Sequence, residues 1–516
     1  MARLLILNPN TDTFGRQSIP TALISALLKK NGHSVELFDT TFMDLDYLLD
    51  KKQTHENLIL KLNFFKKVDY SNYNLKKEKV DFVKLFEKKI QEYNPDFIAF
   101  SFWSSHLHGE GEFHAYFHGL KIIENADLKN IPVIVGGTVP TWEPIIVLKN
   151  PKINYVVMGE GELVYLDIAN SIDAGKGFSG IKNLCIDDGK GGMEKNVLRD
   201  LIDPLDDLPY ADFDIYDDRC FYRPYHGKMV RCIDYELSRG CVYNCTFCLS
   251  PFQRGIYNNP GNFRREKSIE KIVGEIGFLK NRYKLDMIRY QDETFLSMNE
   301  KKLEKLSLEY KKNVNLPFII EAAVNTITEN KIKSLKEMGC ISIGLGIESG
   351  SKFIRDKIIK KPGFTNEEII DKIGIIKKNG ISMNLFNIIG FPEETREMIF
   401  ETIELNYRAK APYSMVSYFQ PWEGTRLRNY SIESGYLDEK SAGLENSQDN
   451  LTGNPLSNLK ISKEELGELH SKFSYYIRIN KIFWPLIDIA GRSNIFSRSI
   501  TQLLKLYLNL RMRVID

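Results

Sequence analysis

Three cysteines stand close together in Ser238-Arg239-Gly240-Cys241-Val242-Tyr243-Asn244-Cys245-Thr246-Phe247-Cys248, in the order C-x3-C-x2-C. The preceding residues, Ile233 to Leu237, alternate apolar and polar side chains, which predicts a strand that runs into this loop. Thiolates are the usual ligands of iron–sulfur clusters, and three of them can hold three irons of a four-iron cube. The fourth iron would then stay open to another molecule. Gly240 suits a loop that turns sharply around a bulky group.

A structural zinc site is the main alternative interpretation of these cysteines. Such a site usually takes four protein ligands and C-x2-C pairs, so Cys232 or His226 would have to supply the fourth ligand. Disulfides are disfavoured because the seven cysteines are an odd number and the opening residues, MARLLILNPN, lack the features of a signal peptide. We therefore expect a reducing, cytoplasmic setting.

Length and composition describe a multidomain globular protein. The 516 residues exceed what one ordinary core supports, so two or three domains are expected. Hydrophobic residues make up 43% of the chain and charged residues 27%, and no apolar run is long enough to predict a membrane-spanning helix. The 70 basic residues almost balance the 68 acidic ones, so the net charge gives no reason to expect a nucleic-acid partner.

Residues 1–180 alternate short apolar runs with helical patterns. This alternation predicts an open, Rossmann-like parallel α/β sheet, in which ligands bind beyond the carboxyl ends of the strands. Glycines there would let a bulky ligand approach the backbone, and hydroxyl groups could bond to its edge. No G-x-G-x-x-G motif follows the first strand, which disfavours a dinucleotide. The residues at the predicted strand ends are Ser101, Ser104, Gly136, Gly137, Thr138, Gly159 and Glu160.

The strand–helix pattern resumes after a Pro- and Asp-rich connector at residues 181–230, in which Asp187-Asp188-Gly189 predicts a hairpin turn. Residues 231–430 predict six strands with intervening helices, fewer than the eight strands of a closed (βα)8 barrel. Residues 431–516 predict a helical C-terminal cap. Distinct motifs follow the barrel strands, where barrel enzymes carry their active residues: Gln291-Asp292-Glu293, Gly344-Leu345-Gly346-Ile347-Glu348-Ser349-Gly350, Ile389-Gly390-Phe391-Pro392-Glu393-Glu394-Thr395 and Pro421-Trp422-Glu423-Gly424-Thr425.

The cysteine loop and these ordered motifs resemble the radical S-adenosylmethionine (radical SAM) superfamily, whose core is a partial (βα)6 barrel of TIM type. The first domain resembles the cobalamin-binding domain found upstream of many such cores, through Asn8-Pro9, the Gly-Gly-Thr after strand four and the GEGE after strand five. The resemblance implies a [4Fe–4S] cluster on Cys241, Cys245 and Cys248, with SAM chelating the open iron. An electron from the cluster would cleave SAM to a 5′-deoxyadenosyl radical.

The resemblance also implies individual cofactor contacts. Asp292 and Glu293 match the segment that grips the amino group of SAM. Glu348 and Ser349 match the ribose and carboxylate motif, and Gly390 and Phe247 lie where relatives contact adenine. Cobalamin would lie against the strand-end residues of the first domain, without a protein histidine on cobalt, because the D-x-H-x-x-G motif is absent after strand one. Strand three carries Ala323 near a position where relatives often have an arginine.

The resemblance implies a cobalamin-dependent radical SAM enzyme, and methylation of an unactivated carbon is the outcome we expect. Some relatives use the same cofactors for ring closure, ring contraction or oxidation, and no residue separates these outcomes. A non-catalytic zinc or cluster protein is the alternative from another class. The expected partners are an unknown substrate and an electron donor such as flavodoxin or ferredoxin. A basic amphipathic helix near the C-terminus could also lie on a membrane surface.

Overall fold

The computed structural model describes residues 1–10, 17–44, 68–102, 110–257, 260–361, 363–439, 453–490, 499–500, 502–504 and 506–507. For residues 101–102 and 110–115 it describes the backbone alone. Two sheets, each of seven strands, form the frame of this part of the chain. They correspond to the predicted α/β domain and the predicted partial barrel, so the expected fold class is confirmed.

The first sheet has the strand order β2-β1-β3-β4-β5-β6-β7. The chain runs outward from β1 to β2 and then returns to place β3 on the other side of β1. This reversal opens a crevice at the carboxyl ends of β1 and β3, the usual ligand site of such sheets. The strands are β1 Arg3–Asn8, β2 Ser34–Asp39, β3 Phe97–Phe102, β4 Val133–Gly137, β5 Tyr155–Val157, β6 Leu184–Asp187 and β7 Met193–Lys195.

Strands β1 to β5 are parallel, and the central residues of β1, β3 and β4 are buried on both faces of the sheet. Such strands read as continuous apolar runs, which is why the sequence shows Leu4 to Leu7 and Val133 to Val135 without alternation. The predicted hairpin at Asp187–Gly189 is confirmed, because β6 and β7 pair antiparallel and extend the sheet edge. The helices are α1 Ile19–Lys30, α2 Phe82–Tyr93, α3 Glu110–Asn125, α4 Thr138–Trp142, α5 Pro144–Leu148 and α6 Glu162–Asp173.

The second sheet has the order β16-β15-β14-β13-β12-β9-β8 and curls into a partial barrel. Six of its strands are parallel, as predicted, and β8 runs antiparallel to β9. The strands are β8 Tyr222–Tyr225, β9 Lys228–Tyr235, β12 Met287–Tyr290, β13 Phe318–Ala323, β14 Cys340–Glu348, β15 Ser382–Ile389 and β16 Tyr413–Tyr418. A separate short ladder joins β10 Ser238–Arg239 to β11 Arg265–Glu266. The helices are α7 Ser250–Gly255, α8 Ile269–Tyr283, α9 Glu300–Asn313, α10 Glu329–Met338, α11 Asn366–Lys378, α12 Arg396–Ala409 and α13 Arg426–Glu433.

A hairpin turn spans the open base of this barrel. The turn between β8 and β9 carries His226, whose ring centroid lies 5.8 Å from that of Tyr413 at the start of β16. Strands β8 and β16 are the two edges of the sheet, so this contact bridges them at the amino ends of the parallel strands. The sequence pattern does not reveal β8, which lies in the predicted connector.

The C-terminal helices pack on the outside of the barrel. Ser462 caps α14 Lys463–Tyr476 by accepting a hydrogen bond from Glu465 N, and α15 Trp484–Ile489 follows. Ile500 and Leu504 join the same buried cluster, whereas Leu503 and Tyr507 are exposed. The basic residues of the predicted amphipathic helix, Arg498, Lys505, Arg511 and Arg513, lie outside the described residues. Within the described residues, no helix is long and apolar enough to cross a membrane.

We predict that Gly350→Ala destabilises the barrel by about 3 kcal/mol, because the new methyl group has no room. A Cβ at Gly350 would lie 2.3 Å from the carbonyl oxygen of Glu401 and 2.5 Å from Cα of Thr402, both backbone atoms of α12. The measurement is the urea midpoint of the barrel transition. Gly374→Ala is the matched control: Gly374 lies on exposed helix surface with open space around it, so alanine should stabilise by up to ~1 kcal/mol. Equal midpoints for the two variants would contradict the packing argument.

Candidate active site

The loop that carries the three cysteines is fastened from two sides through Thr246. Its backbone N–H donates to the carbonyl of Ile359 at 3.0 Å, and its hydroxyl donates to the carbonyl of Ile358 at 2.6 Å. Its own carbonyl accepts a hydrogen bond from the backbone N–H of Leu427 at 2.9 Å. The loop is therefore held between the π-helical turn Ile354–Ile358 and the first turn of α13.

Gly240 allows the loop to leave the short ladder at this point. Its φ is +90°, and a Cβ there would lie 2.4 Å from the carbonyl oxygen of Phe263. Any other residue would be strained in this backbone conformation and would collide with the neighbouring chain. The sequence expectation of a sharp turn before Cys241 is met.

The three thiols are largely enclosed. Cys245 is buried, and Cys241 and Cys248 are partly buried. Burial raises the pKa of the Cys241 thiol to about 11, and the nearby carboxylate of Glu293 acts in the same direction. Burial also raises the pKa of Cys245 and of Cys248. A bound cation is what would hold these thiols as thiolates at neutral pH.

The cysteines do not converge on a single ion. Among the described residues, no three His, Cys, Asp or Glu side chains are arranged to hold one metal ion, and this includes Cys232 and His226. A structural zinc site needs four ligands around one point. A four-iron cube instead takes each thiolate on a different iron, so it does not require the three cysteines to meet around one ion.

Asp292 ties the end of β12 to the start of the cysteine loop. Its carboxylate accepts hydrogen bonds from the backbone N–H groups of Leu237 at 3.3 Å and Ser238 at 2.6 Å, and also from the Ser238 hydroxyl. Burial raises the pKa of Asp292 to about 7. The carboxylate thus faces the loop backbone, and contact with SAM remains a prediction for Asp292. Its neighbour Glu293 accepts from the Ser250 hydroxyl at 3.2 Å and lies close enough to influence two of the thiols.

Lys361 is a charged residue of the site that the sequence patterns did not reveal. Its ammonium donates to the carbonyl of Gly346 at 2.7 Å and to Glu348 Oε1 at 2.8 Å. Burial opposes its charge, but the carboxylate of Glu348 and the thiols of Cys245 and Cys248 outweigh burial and raise the pKa of Lys361. Glu348 has a left-handed φ of +64°, which turns it toward this ammonium. The predicted SAM-binding glutamate is therefore part of an ion pair beside the cysteines.

Ser349 serves the turn that follows β14. Its hydroxyl lies 3.3 Å from the hydroxyl of Thr402 and accepts a hydrogen bond from the N–H of Ser351 at 3.1 Å. Arg355, which is 2% exposed, donates to the Ser349 carbonyl at 2.6 Å. These contacts anchor the turn to α12. The predicted contact of Ser349 with SAM stays a prediction.

Gly390 is positioned by a buried carboxyl group. Glu394 Oε2 accepts hydrogen bonds from the backbone N–H groups of Gly390 at 2.5 Å and Phe391 at 3.2 Å. Burial raises the pKa of Glu394 to about 8, so the group is largely protonated at neutral pH. Phe247 lies with its ring centroid 6.4 Å from that of Phe391. The two residues predicted to contact adenine, Gly390 and Phe247, thus meet at one wall built around Phe391.

The strand-end glutamate of the first domain meets the cysteine loop. Glu160 Oε1 lies 3.2 Å from Arg239 Nη1 and 2.9 Å from Arg265 Nη2, and Glu160 Oε2 lies 3.1 Å from Arg265 Nη1. Arg239 also pairs with Glu162 at 2.6 Å and with Glu236 at 2.7 Å. Although burial raises the pKa of Glu160, Arg239 and Arg265 lower it on balance. We call these five residues the interdomain ion cluster.

Two further contacts of the first domain with the barrel lie beside this cluster. Gly159 has a φ of +75°, and a Cβ there would lie 2.3 Å from the hydroxyl oxygen of Tyr257, which accepts from Glu160 N at 3.3 Å. The indole ring centroids of Trp142 and Trp422 lie 6.1 Å apart, which brings the end of α4 to the closing motif of the barrel. Gly159 and Glu160, predicted to contact cobalamin, are therefore at the domain interface.

The glycines at the end of β4 lie close to the Tyr165 hydroxyl and to the start of α4. A Cβ at Gly136 would lie 3.0 Å from the hydroxyl oxygen of Tyr165, and this hydroxyl is buried without a hydrogen-bond partner in the described residues. Gly137 precedes α4, which Thr138 begins, and its carbonyl accepts from the Thr141 hydroxyl at 2.7 Å. The backbone of Ser101 lies in β3, opposite Gly136, whereas Ser104 lies outside the described residues.

We predict that Arg239→Gln loosens the two domains, because removal of a buried cation leaves three carboxylates with too little positive charge. Breaking such a buried network typically costs about 3–5 kcal/mol. Hydrogen exchange should therefore become faster in Gly159–Glu162 and in Ser238–Gly240. Arg282→Gln is the control, since Arg282 pairs with Asp214 on the exposed surface, and its exchange pattern should match wild type. Unchanged exchange in Arg239→Gln would show that the cluster does not hold the domains.

We predict that Glu394 makes stability fall as the pH rises from about 5 to about 8. The folded protein holds this proton up to a pKa of about 8, whereas the unfolded chain releases it near the ordinary value of 4.5. Stability should therefore decrease by up to about 1.4 kcal/mol per pH unit within that window. Glu394→Gln cannot titrate, so its urea midpoint should lose this part of the pH dependence. Glu304→Gln, on the exposed face of α9, should keep the wild-type profile, and parallel profiles for wild type and Glu394→Gln would refute the prediction.

The same two-part architecture occurs in solved structures. The chain aligns over 84% of its length, and 75% of the other chain, with the radical S-adenosylmethionine methyltransferase TsrM from Kitasatospora setae, at a TM-score of 0.62 and 17% identity. It aligns over 100% of its length, and 71% of the other chain, with the cobalamin-dependent S-adenosylmethionine radical enzyme OxsB, at a TM-score of 0.66 and 15% identity. At these identities the similarity concerns the fold.

Family models and curated relatives extend the similarity to the sequence. The model of the Radical SAM superfamily matches residues 235–405, and the model of the B12 binding domain matches residues 17–169. The cytidylyl-2-hydroxyethylphosphonate methyltransferase of Streptomyces wedmorensis is 22% identical over 85% of this chain and 83% of its own length. An uncharacterised methyltransferase of Pyrococcus horikoshii, PH0819, is 30% identical over 81% of this chain and 86% of its own length. The chain belongs to the radical SAM enzymes that carry an amino-terminal B12-binding domain.

Proposed function

We propose that this protein is a cobalamin-dependent radical SAM methyltransferase that methylates an unactivated carbon. The observation that carries the proposal is the interdomain ion cluster, because it joins the cysteine loop to the strand-end glutamates of the B12-binding domain. A corrin above the first sheet and a cluster at the barrel rim would then face one shared cleft. The methyltransferase names of two relatives that align over most of this chain favour methylation over other radical outcomes.

The residues of the barrel rim fit a four-iron cluster and SAM. Cys241, Cys245 and Cys248 lie on one short loop, and their side chains are buried or partly buried. Lys361 and Glu348 supply a cation and an anion beside it, which suits the carboxylate and amino groups of SAM. The wall at Gly390, with Phe247, offers an apolar surface for adenine.

The residues of the first domain fit a large planar group. Two buried polar groups, the Tyr165 hydroxyl and the Trp142 indole N–H, have no hydrogen-bond partner in the described residues. Each would gain a partner from an amide or phosphate of a bound cobalamin, since leaving such a group unpaired costs free energy. Gly136 and Gly137 keep the nearby strand end free of side chains. We propose Gly136, Gly137 and Thr138 as the cobalamin-facing residues, with Ser101 and Ser104 on the neighbouring strand end, and Gly159 and Glu160 as the link to the barrel.

The protein's part in the reaction is to bind, orient and enclose. When bound, the cluster supplies the electron that cleaves SAM, and cobalamin supplies the methyl group. Asp292 holds the start of the cysteine loop in one position, and Glu394 does the same for the adenine wall. The Lys361–Glu348 pair fixes charges next to the cysteines, where low water content strengthens their effect. The interdomain ion cluster keeps the cleft closed against solvent on the side of Arg239.

The lumen below this rim is polar, which suits a substrate with hydrogen-bonding groups. Arg223 pairs with the fully buried Asp234 at 2.7 Å, and Arg289 Nη2 lies 3.9 Å from Glu321 Oε1. The buried amide oxygen of Asn384 has no partner in the described residues. Buried polar atoms of this kind are normally satisfied by water or ligand. We propose that the substrate occupies this space and presents the carbon to be methylated toward the rim.

The cysteines indicate the cellular compartment, and the need to reduce the cluster indicates a further partner. None of the seven cysteines forms a disulfide, which suits a reducing compartment, and we propose that the enzyme is cytoplasmic. Reduction of the cluster requires an external one-electron donor.

The test is product analysis with protein reconstituted anaerobically with iron, sulfide and methylcobalamin, and then given SAM, dithionite and candidate substrates. We expect brown protein, formation of 5′-deoxyadenosine and S-adenosylhomocysteine, and a methylated product. Cys245→Ala should lose the cluster absorbance and all three products. Cys340→Ala is the matched control, since Cys340 is a buried β14 residue outside the loop, and it should keep the cluster.

Two results would contradict the proposal in different ways. Wild-type protein that assembles no four-iron cluster would reject radical SAM chemistry altogether. Protein that forms 5′-deoxyadenosine but neither S-adenosylhomocysteine nor a methylated product would reject methylation and leave another radical outcome.

A further inference from the structure

The tip of the cysteine loop is open to solvent on one side. Val242 is 53% exposed, and Asn244, the residue before Cys245, is exposed as well. Val242 stands between Cys241 and Cys245, so it places an exposed apolar side chain next to two of the proposed cluster ligands. The chain between Cys241 and Cys245 is therefore accessible to a partner from this side.

Two arginines frame this tip without being neutralised. Arg254 donates to the side-chain oxygen of Asn244 at 3.2 Å, and Arg426 donates to its backbone carbonyl. Both acceptors are uncharged, so the two guanidinium groups keep their full positive charge. Neither arginine forms an ion pair within the described residues, in contrast to Arg239 and Arg265 on the domain-facing side.

Two lysines extend the positive charge around the same tip. Lys357 and Lys360 are exposed and lie on the segment whose Ile358 and Ile359 carbonyls bind the cysteine loop. Neither lysine forms an ion pair in the part of the chain that the structure describes. The carboxylates nearby are already paired, Asp356 with Lys352 and Glu423 with Arg428. The surface around the tip therefore carries four uncompensated positive charges in a chain whose net charge is only +2.

We propose that this surface, formed by Val242, Asn244, Arg254, Arg426, Lys357 and Lys360 and called here the donor face, docks a small acidic one-electron redox protein. Electron-transfer complexes are small and short-lived, and they depend on complementary charge to guide the encounter. A central apolar contact ringed by positive charge fits such a complex with an acidic partner. The inference rests on the proposed function, because only an enzyme whose cluster must be reduced needs this partner.

The electron balance of the step is simple. One electron passes from the anionic flavin hydroquinone of a flavodoxin to the oxidised cluster. The flavin becomes the neutral semiquinone and the cluster charge falls from 2+ to 1+, with no proton transferred and no bond formed. The donor face has only to bring the flavin edge close to Val242, and it touches no substrate.

The experiment measures the binding of flavodoxin and compares the rates of cluster reduction by two reductants. The binding of an acidic flavodoxin in its oxidised form is measured by calorimetry at low salt, and cluster reduction is followed by stopped-flow absorbance with flavodoxin hydroquinone or with dithionite. Arg254→Glu/Arg426→Glu should weaken binding and slow reduction by flavodoxin roughly tenfold or more, and added salt should slow the wild-type rate. The rate with dithionite, which needs no docking, should stay at the wild-type value.

Both arginines donate hydrogen bonds to Asn244, so their substitution could also disturb the cysteine loop. A second variant therefore changes the charge of the donor face without touching these bonds. Lys357→Glu/Lys360→Glu changes the same net charge and breaks no hydrogen bond within the described residues, so it should also weaken flavodoxin binding. Lys305→Glu, on the exposed face of α9, is the matched control and should behave as wild type. Binding and reduction by flavodoxin that remain at the control level in the lysine variant would overturn the donor face. Failure of dithionite-reduced wild type to cleave SAM would instead overturn the proposed function, so the two failures are distinguishable.

Discussion

The arrangement of the whole molecule depends on one buried guanidinium group. Arg239 lies two residues before Cys241 and contacts three carboxylates, two of them on the B12-binding domain. A buried charge of this kind is costly unless its partners surround it closely, so the domains have to meet in one relative position for the pairing to form. The same residue thus defines the path of the cysteine loop and the orientation of the sheet above it.

Several side chains that the family resemblance assigns to SAM binding form hydrogen bonds or ion pairs within the protein. Asp292 binds backbone N–H groups of the cysteine loop, and Ser349 binds its own turn. Glu348 is held by Lys361, a residue twelve positions beyond Ser349 that approaches because the π-helical turn brings the chain back to the loop. These motifs therefore build a rigid rim at the carboxyl ends of the barrel strands.

The sequence was sufficient for the parallel strands and for the cysteine loop, because both leave local signals. Apolar runs with turn residues identify strands, and C-x3-C-x2-C identifies the loop. Arg239, Arg265 and Lys361 left no such signal, since each acts through a partner that is distant in the chain or on another segment. Glu160, for example, is 105 residues away from Arg265. Strand β8 was missed for a similar reason: Tyr222–Tyr225 contains a proline and becomes a strand only by pairing with β9 at the sheet edge.

The hairpin at the base of the barrel determines where the two edges of the open sheet are joined. Because the His226 ring lies against that of Tyr413, the two edge strands of the partial barrel are joined at the amino ends of its parallel strands. These amino ends lie opposite the cysteine loop, which follows the carboxyl end of β9, so the contact joins the two edges at the end remote from the candidate site.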